Sequence, residues 1–220
     1  MLTKIEKLFT AFFCILLCFE MITAELHSFW HYFAKPSLLI ALLVFYYTRS
    51  KSIPVPLKRL TLGALLFSLL GDIALMFVDQ SAHYFTAGLA SFLIAHILYI
   101  FVFLKARNRS KSPWLLASIL LVYGTGLFWL LNDNLGPMLL PVFLYMLVIL
   151  TMATTAFLRE GRVPKISFYL VFFGAILFLI SDSLLAVNKF YTPLAFSNIS
   201  IMFTYASAQL FIVFGLIKQQ

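Results

Sequence analysis

Leu60–Val78 reads LTLGALLFSLLGDIALMFV, an apolar run long enough to cross the hydrocarbon core of a bilayer, and it carries one carboxylate, Asp72, well inside it. An ionisable group at that depth costs several kcal/mol unless it faces a polar interior, so Asp72 marks a candidate functional site. A second version of the pattern occurs in Phe168–Val187. There Gly174-Ala175 and Phe178 precede Ser181-Asp182 much as Gly63-Ala64 and Phe67 precede Gly71-Asp72. The rest of the chain is organised around these two aspartates.

Composition supports a membrane setting for both. Of the 220 residues, 63% are hydrophobic and 11% charged, outside the globular range and inside that of integral membrane proteins. A backbone that spans lipid must satisfy its own hydrogen bonds, and apolar runs of this length do so as helices. The runs predict an all-α polytopic transmembrane helix bundle with eight spans: about 8–26, 34–48, 60–78, 84–104, 114–131, 137–158, 166–187 and 196–217. Pro54, Pro56, Pro113, Asn132–Gly136, Gly161–Pro164 and Pro193 punctuate them. No connection is long enough for a soluble domain, so residues 1–220 read as one integral membrane domain. Lys4 and Lys7 ahead of the first run imitate a secretory signal peptide, but the length of the run, Glu20 within it and the lack of a clean small-x-small site favour a retained first span. Cys14 and Cys18 lie one helical turn apart, match no zinc spacing and read as small packing residues.

Charge sets the orientation. Fourteen of the 16 Lys and Arg residues fall on one side of the eight-span arrangement, leaving only Lys35 and Lys189 on the other. By the positive-inside rule both termini are cytoplasmic, and the net charge of +8 belongs to cytoplasmic loops rather than to a nucleic-acid surface. The third and seventh spans then run the same way, with both aspartates in their outer halves. Four spans separate the two, so a repeat would be a parallel four-plus-four one about an axis along the membrane normal.

Other intramembrane polar residues collect at the same level: Glu20 in the first span, Lys35 opening the second, His96 in the fourth, Asn188 and Lys189 ending the seventh, Tyr205 and Gln209 in the eighth. Together they predict a polar cavity open toward the non-cytoplasmic face, with the lysines placed for a charged headgroup. Each has an ordinary alternative. The aspartates and His96 can belong to a buried structural network, Glu20 can sit at the interface, the lysines can snorkel, and Tyr205 and Gln209 can be interhelical hydrogen-bond partners. The phenylalanines and tyrosines are by default packing and interface residues. No Walker loop, GxSxG elbow, HExxH or CxxC occurs, so ATP-driven transport, serine hydrolysis and zinc-protease chemistry lack their parts.

Five motifs in order carry a family resemblance: Lys35-Pro36; Phe67-Ser68-x-x-Gly71-Asp72-x-x-Leu75; Phe92-x-x-Ala95-His96-x-x-Tyr99; Gly174-Ala175-x-x-Phe178-x-x-Ser181-Asp182-x-x-Leu185-Ala186; and Tyr205-x-x-Ala208-Gln209. The chain resembles the YhhN family of membrane proteins, the lysoplasmalogenases. The likeness covers nearly the whole chain except the fifth and sixth spans, which hold nothing diagnostic, and Glu20 is not among the residues it transfers.

The resemblance implies an intramembrane hydrolase that cleaves the vinyl ether bond of lysoplasmalogens, releasing a fatty aldehyde and glycerophosphoethanolamine or glycerophosphocholine. It implies no cofactor and no metal. The partners are a lysophospholipid substrate and membrane lipids, in the inner membrane if the source is bacterial. Vinyl ethers hydrolyse when a proton reaches the carbon β to oxygen. The resulting oxocarbenium ion is attacked by water, and the hemiacetal collapses. The reaction needs one protonated carboxyl and one carboxylate, and burial with mutual repulsion makes a close pair hold different protonation states. Asp72 and Asp182 suit those roles, with His96 as donor or orienting group, and Lys35, Lys189, Tyr205 and Gln209 as substrate-binding residues. From residues alone, a proton-coupled lipid or small-molecule transporter using the same carboxylates ranks slightly above catalysis, and the resemblance reverses that order and leaves transport as the alternative. Prolines confined to span ends, apart from Pro141, favour a fixed site.

Overall fold

The computed structural model describes residues 3–219. Among them are eight helices: α1 (Lys4–Glu25), α2 (His31–Arg49), α3 (Val55–Leu75), α4 (Ala82–Lys105), α5 (Trp114–Leu135), α6 (Leu139–Phe157), α7 (Lys165–Phe190) and α8 (Ser197–Ile217). A single 3-10 turn, Gly136–Met138, joins α5 to α6. Each helix coincides with one of the predicted apolar runs, and the ends move for local reasons. Thr3 and Glu6 form a capping box, the Thr3 amide donating to Glu6 Oε2 at 2.7 Å and the Glu6 amide to Thr3 Oγ1 at 3.2 Å, so α1 starts ahead of its apolar run. Helix α2 begins before Lys35-Pro36, which places Pro36 inside it and leaves the Tyr32 carbonyl without its helical donor. Helix α3 stops at Leu75 and the chain turns through Met76–Gln80, so Asp72 lies in the last turn rather than deeper.

The protein is a helical membrane bundle. Among the described residues, five helical stretches are long and apolar enough to cross a bilayer: Lys4–Glu25, Ala82–Lys105, Trp114–Phe157, Lys165–Phe190 and Ser197–Ile217, the third covering both α5 and α6. Helices α2 and α3 fall short of the same measure because α2 carries Lys35 and Arg49, and α3 carries Lys58, Arg59 and Asp72. Around the outside, Leu8, Trp114, Leu115 and Trp129 leave 72–80% of their surface uncovered, as side chains facing lipid do. Cys14 and Cys18 share that outer surface, which corrects the expectation that they pack inside: their face of α1 is opposite the one holding Phe13, Leu17 and Glu20.

Two helix pairs pack most extensively, α3 on α4 and α7 on α8. Small residues permit the close approach. A Cβ on Gly71 would meet the Phe92 ring at 2.7 Å, one on Gly174 the Ala208 carbonyl at 2.9 Å, and one on Gly215 the Val171 nitrogen at 2.9 Å. Helix α4 also packs on α6, and α8 reaches α1 and α2. Side-chain contacts brace the end of the bundle rich in basic residues. Arg159, fully buried, donates to Ser167 Oγ at 3.1 Å and Gln219 Oε1 at 2.9 Å, while Ser167 donates to the Gly215 carbonyl at 2.7 Å. Lys218 pairs with Glu6 at 3.0 Å, and Lys111 with Glu160. A cavity of about 500 Å³ beside Pro54, Leu57, Lys105 and Arg162 remains at this end, and another lies at the opposite end.

Candidate functional site

At that opposite end, the last turns of α1, α3 and α7 and the first turns of α2 and α8 surround a cavity of about 510 Å³. Glu20, Lys35, Asp72, Asp182, Lys189 and Tyr205 all line it. These six residues come from five helices, and packing brings them to one space.

The two aspartates occupy different surroundings. Asp72 is 2% exposed and accepts one hydrogen bond, from the Tyr205 hydroxyl to Oδ2 at 2.8 Å. Asp182 keeps 13% of its side chain exposed, and its Oδ2 is approached by two groups: the Tyr145 hydroxyl at 2.5 Å and His96 Nε2 at 3.2 Å. Tyr145 also lies 2.8 Å from His96 Nε2. With the tyrosine hydroxyl donating its single proton to an ionised Asp182, the His96 tautomer protonated at Nε2 satisfies the other contact. His96 Nδ1 is buried without a partner, as the acceptor nitrogen of that tautomer.

His96 therefore stands behind Asp182 rather than on the cavity wall. Gln209 is also set back: fully buried, it accepts from the Tyr99 hydroxyl at 2.8 Å and donates to Ser68 Oγ at 2.9 Å, fixing α8 to α3 and α4 beneath the site. Of the substrate-binding residues expected from sequence, Lys35, Lys189 and Tyr205 face the cavity and Gln209 does not. Lys189 Nζ sits 5.4 Å above the centre of the Phe85 ring. Asn188 accepts from the Leu194 amide at 2.8 Å and shapes the turn between α7 and α8. Through space, Lys35 acts on both Glu20 and Asp72, and Asp182 acts on Asp72, so these groups form one electrostatic neighbourhood.

Sequence reading missed Tyr145. It lies in α6, where no motif stood out, and it was covered by the default that tyrosines pack or mark interfaces. Its one signal is position: α6 reads LLPVFLYMLVILTMATTAF, and the only aromatic hydroxyl falls within the apolar run rather than in an interfacial belt. Two narrow clefts meet at the same pair of residues. Between α5, α6 and α7, one runs from Tyr145 and Asp182 past Leu127, Leu131 and Met146. The other runs from them past Leu89, Val142 and Phe190. Asp182 thus stands where a polar cavity meets apolar passages. Among the described residues no group of three His, Cys, Asp or Glu side chains is arranged to hold a metal ion.

Comparisons with known proteins point the same way. The sequence profile of the YhhN family matches residues 30–216. Human Lysoplasmalogenase TMEM86B is 32% identical over 160 residues, 73% of this chain and 64% of the relative. The pig protein of the same name is 34% identical over 154 residues, 68% of this chain and 60% of the relative, and Lysoplasmalogenase from Mycobacterium bovis is 32% identical over 166 residues, 72% and 60%. The matches therefore span 60–64% of the length of these curated relatives. No solved structure matches the chain. With the profile covering most of the sequence, including both aspartates, this chain belongs to the YhhN family.

Proposed function

We propose that the protein hydrolyses the vinyl ether bond of lysoplasmalogens at the Asp72–Asp182 cavity. The observation that carries this reading is the position of Asp182 at the junction of the polar cavity and the apolar clefts. In a lysoplasmalogen the vinyl ether is the junction between the polar glycerophosphate and the alkenyl chain. With the phosphate near Lys35 and Lys189 and the chain in a cleft, the scissile bond lies at the carboxylates. The names of the relatives, lysoplasmalogenases in mammals and mycobacteria, support the same chemistry.

The roles follow from the surroundings. Asp182, approached by donors from Tyr145 and His96, is the better-solvated anion and is suited to stabilise the oxocarbenium ion and take the proton of the attacking water. Asp72, enclosed and served by Tyr205 alone, is suited to hold the proton delivered to the β carbon. Water then adds to the oxocarbenium carbon. The hemiacetal collapses to aldehyde and glycerophospho-alcohol, and the proton taken from water returns the pair to its starting state. The logic matches that of paired carboxyls at other oxocarbenium-like states.

In this reading all eight helices span the bilayer, both termini are cytoplasmic and the cavity opens to the other side, supported by the separation of the basic end from the cavity end. The extensive pairing of α3 with α4 and of α7 with α8 supports a parallel four-plus-four repeat, as does α4 meeting α6 while α8 meets α2. The deciding experiment is aldehyde release by the purified protein from a lysoplasmalogen beside the saturated ether lysolipid, with Asp72→Asn as control. Release only from the vinyl ether, lost in the variant, is expected. No release from well-folded protein would refute the proposal.

A further inference from the structure

Glu20 is a buried acid on the cavity wall that the proposed chemistry leaves unused. It lies five residues before the end of α1, is 2% exposed and lines the polar cavity. Its Oε1 stands 3.4 Å from His31 Nδ1 without forming a hydrogen bond, and its Oε2 has no partner. Lys35 acts on it through space, but among the described residues forms no ion pair with it. A buried carboxylate with unfilled lone pairs is costly unless a cation reaches it. The family profile begins at residue 30, so this acid stands outside the matched region.

The cavity therefore holds two kinds of charge: lysines suited to a phosphate, and on α1 an acceptor suited to a cation. We propose that Glu20 receives the headgroup ammonium of the lysolipid and selects a primary ammonium, as in an ethanolamine headgroup, over a trimethylated one. This inference rests on the lysolipid reading of the site for its ligand. A primary ammonium brings N–H donors to the Glu20 carboxylate on the cavity wall, whereas a quaternary one brings none and is held instead by open aromatic faces. Among the cavity's rings, Tyr32 stacks on Phe77 at 5.7 Å, Phe85 lies under Lys189, and Phe92 and Tyr205 pack edge to face at 5.7 Å, so each is already engaged by a neighbour. His31, also on the wall, is neighbour to the same carboxylate.

The test uses the full chain in detergent and a saturated 1-O-alkyl lysophosphoethanolamine, which has no vinyl ether to cleave. Its affinity is compared with those of the N-methyl, N,N-dimethyl and trimethyl forms. Affinity should fall along the series, by about tenfold or more overall, the range of a lost charge-assisted hydrogen bond. Glu20→Gln should flatten the series by weakening the primary amine, and Glu20→Asp should keep its order. Equal affinities across the wild-type series overturn the inference without any variant, and so does a series that Glu20→Gln leaves unchanged. Aldehyde release from vinyl ether lysolipids is read in parallel. Turnover with a flat series means the hydrolase reading stands and the Glu20 assignment fails. A graded series without turnover means the reverse.

Discussion

Removing one oxygen, in Tyr145→Phe, tests whether the His96–Tyr145–Asp182 contact serves the chemistry. The ring is buried at 8% exposure and stays in place, because phenylalanine keeps its shape and the edge-on contact with His96 at 5.3 Å. What is lost is the hydroxyl that donates to Asp182 Oδ2 at 2.5 Å and meets His96 Nε2 at 2.8 Å. A hydrogen bond to a charged group contributes roughly 1.5–3 kcal/mol net. If it acts in the transition state, with about 1.4 kcal/mol per factor of ten, kcat falls roughly ten- to 150-fold. The lower end is favoured because His96 still reaches Asp182 at 3.2 Å and retains one of the two contacts. The assay is initial-rate aldehyde release from a lysoplasmenylethanolamine in detergent, with KM measured separately and size-exclusion profiles confirming the fold. Wild-type kcat in well-folded Tyr145→Phe would refute the assignment, since a strong contact to a reacting carboxylate cannot be removed without effect. A rise in KM alone would move Tyr145 from the chemistry to substrate binding.

Other expectations follow from the same contacts. Asp72→Asn and Asp182→Asn keep size and shape but remove acid–base function, so each should lower turnover by about 10²–10⁴ while the protein remains monodisperse; activity in either variant removes that residue from the reaction. Gln209→Leu strands the Tyr99 hydroxyl and the Ser68 hydroxyl in the interior and should lower stability by roughly 2–5 kcal/mol, read as thermal unfolding in detergent, without changing headgroup preference. Gly215→Leu drives a side chain into the backbone of α7 at Val171 and Ser167, so Tm should fall and the α7–α8 pair loosen, a cost of about 1–3 kcal/mol or more. Lys35→Ala should raise KM for phosphate-bearing lysolipids more than it lowers kcat, and the reverse split would place Lys35 in the chemistry.

Much of the architecture was legible before any coordinates. Long apolar runs, a carboxylate inside two of them and basic residues gathered on one side led to a helical membrane bundle, because the bilayer imposes length, internal hydrogen bonding and charge bias on each span by itself. Several boundaries moved by a few residues, with a local cause visible at the Thr3–Glu6 capping box and at the turn after Leu75. Asp72, Asp182, Lys35, Lys189 and Tyr205 were identified as site candidates from charge or polarity in oily segments, and they share one cavity wall.

Periodicity could not say which helices are neighbours, and that decided the remainder. Tyr145 enters the site because α6 packs against α4 and α7, a fact carried by the surfaces of three helices and by no motif in α6. Gln209 and His96 are set back from the cavity for the same reason, since depth along a helix can be counted from sequence whereas the direction a face points depends on its partners. Glu20, an ordinary interfacial acid when read along α1, becomes a buried and partly unpartnered carboxylate only once α2 covers it. What the chain alone determines here is which stretches become apolar helices and where polar groups interrupt them, because that depends on each helix and the lipid around it. Only tertiary packing settles which polar groups touch, because that is a property of pairs of surfaces.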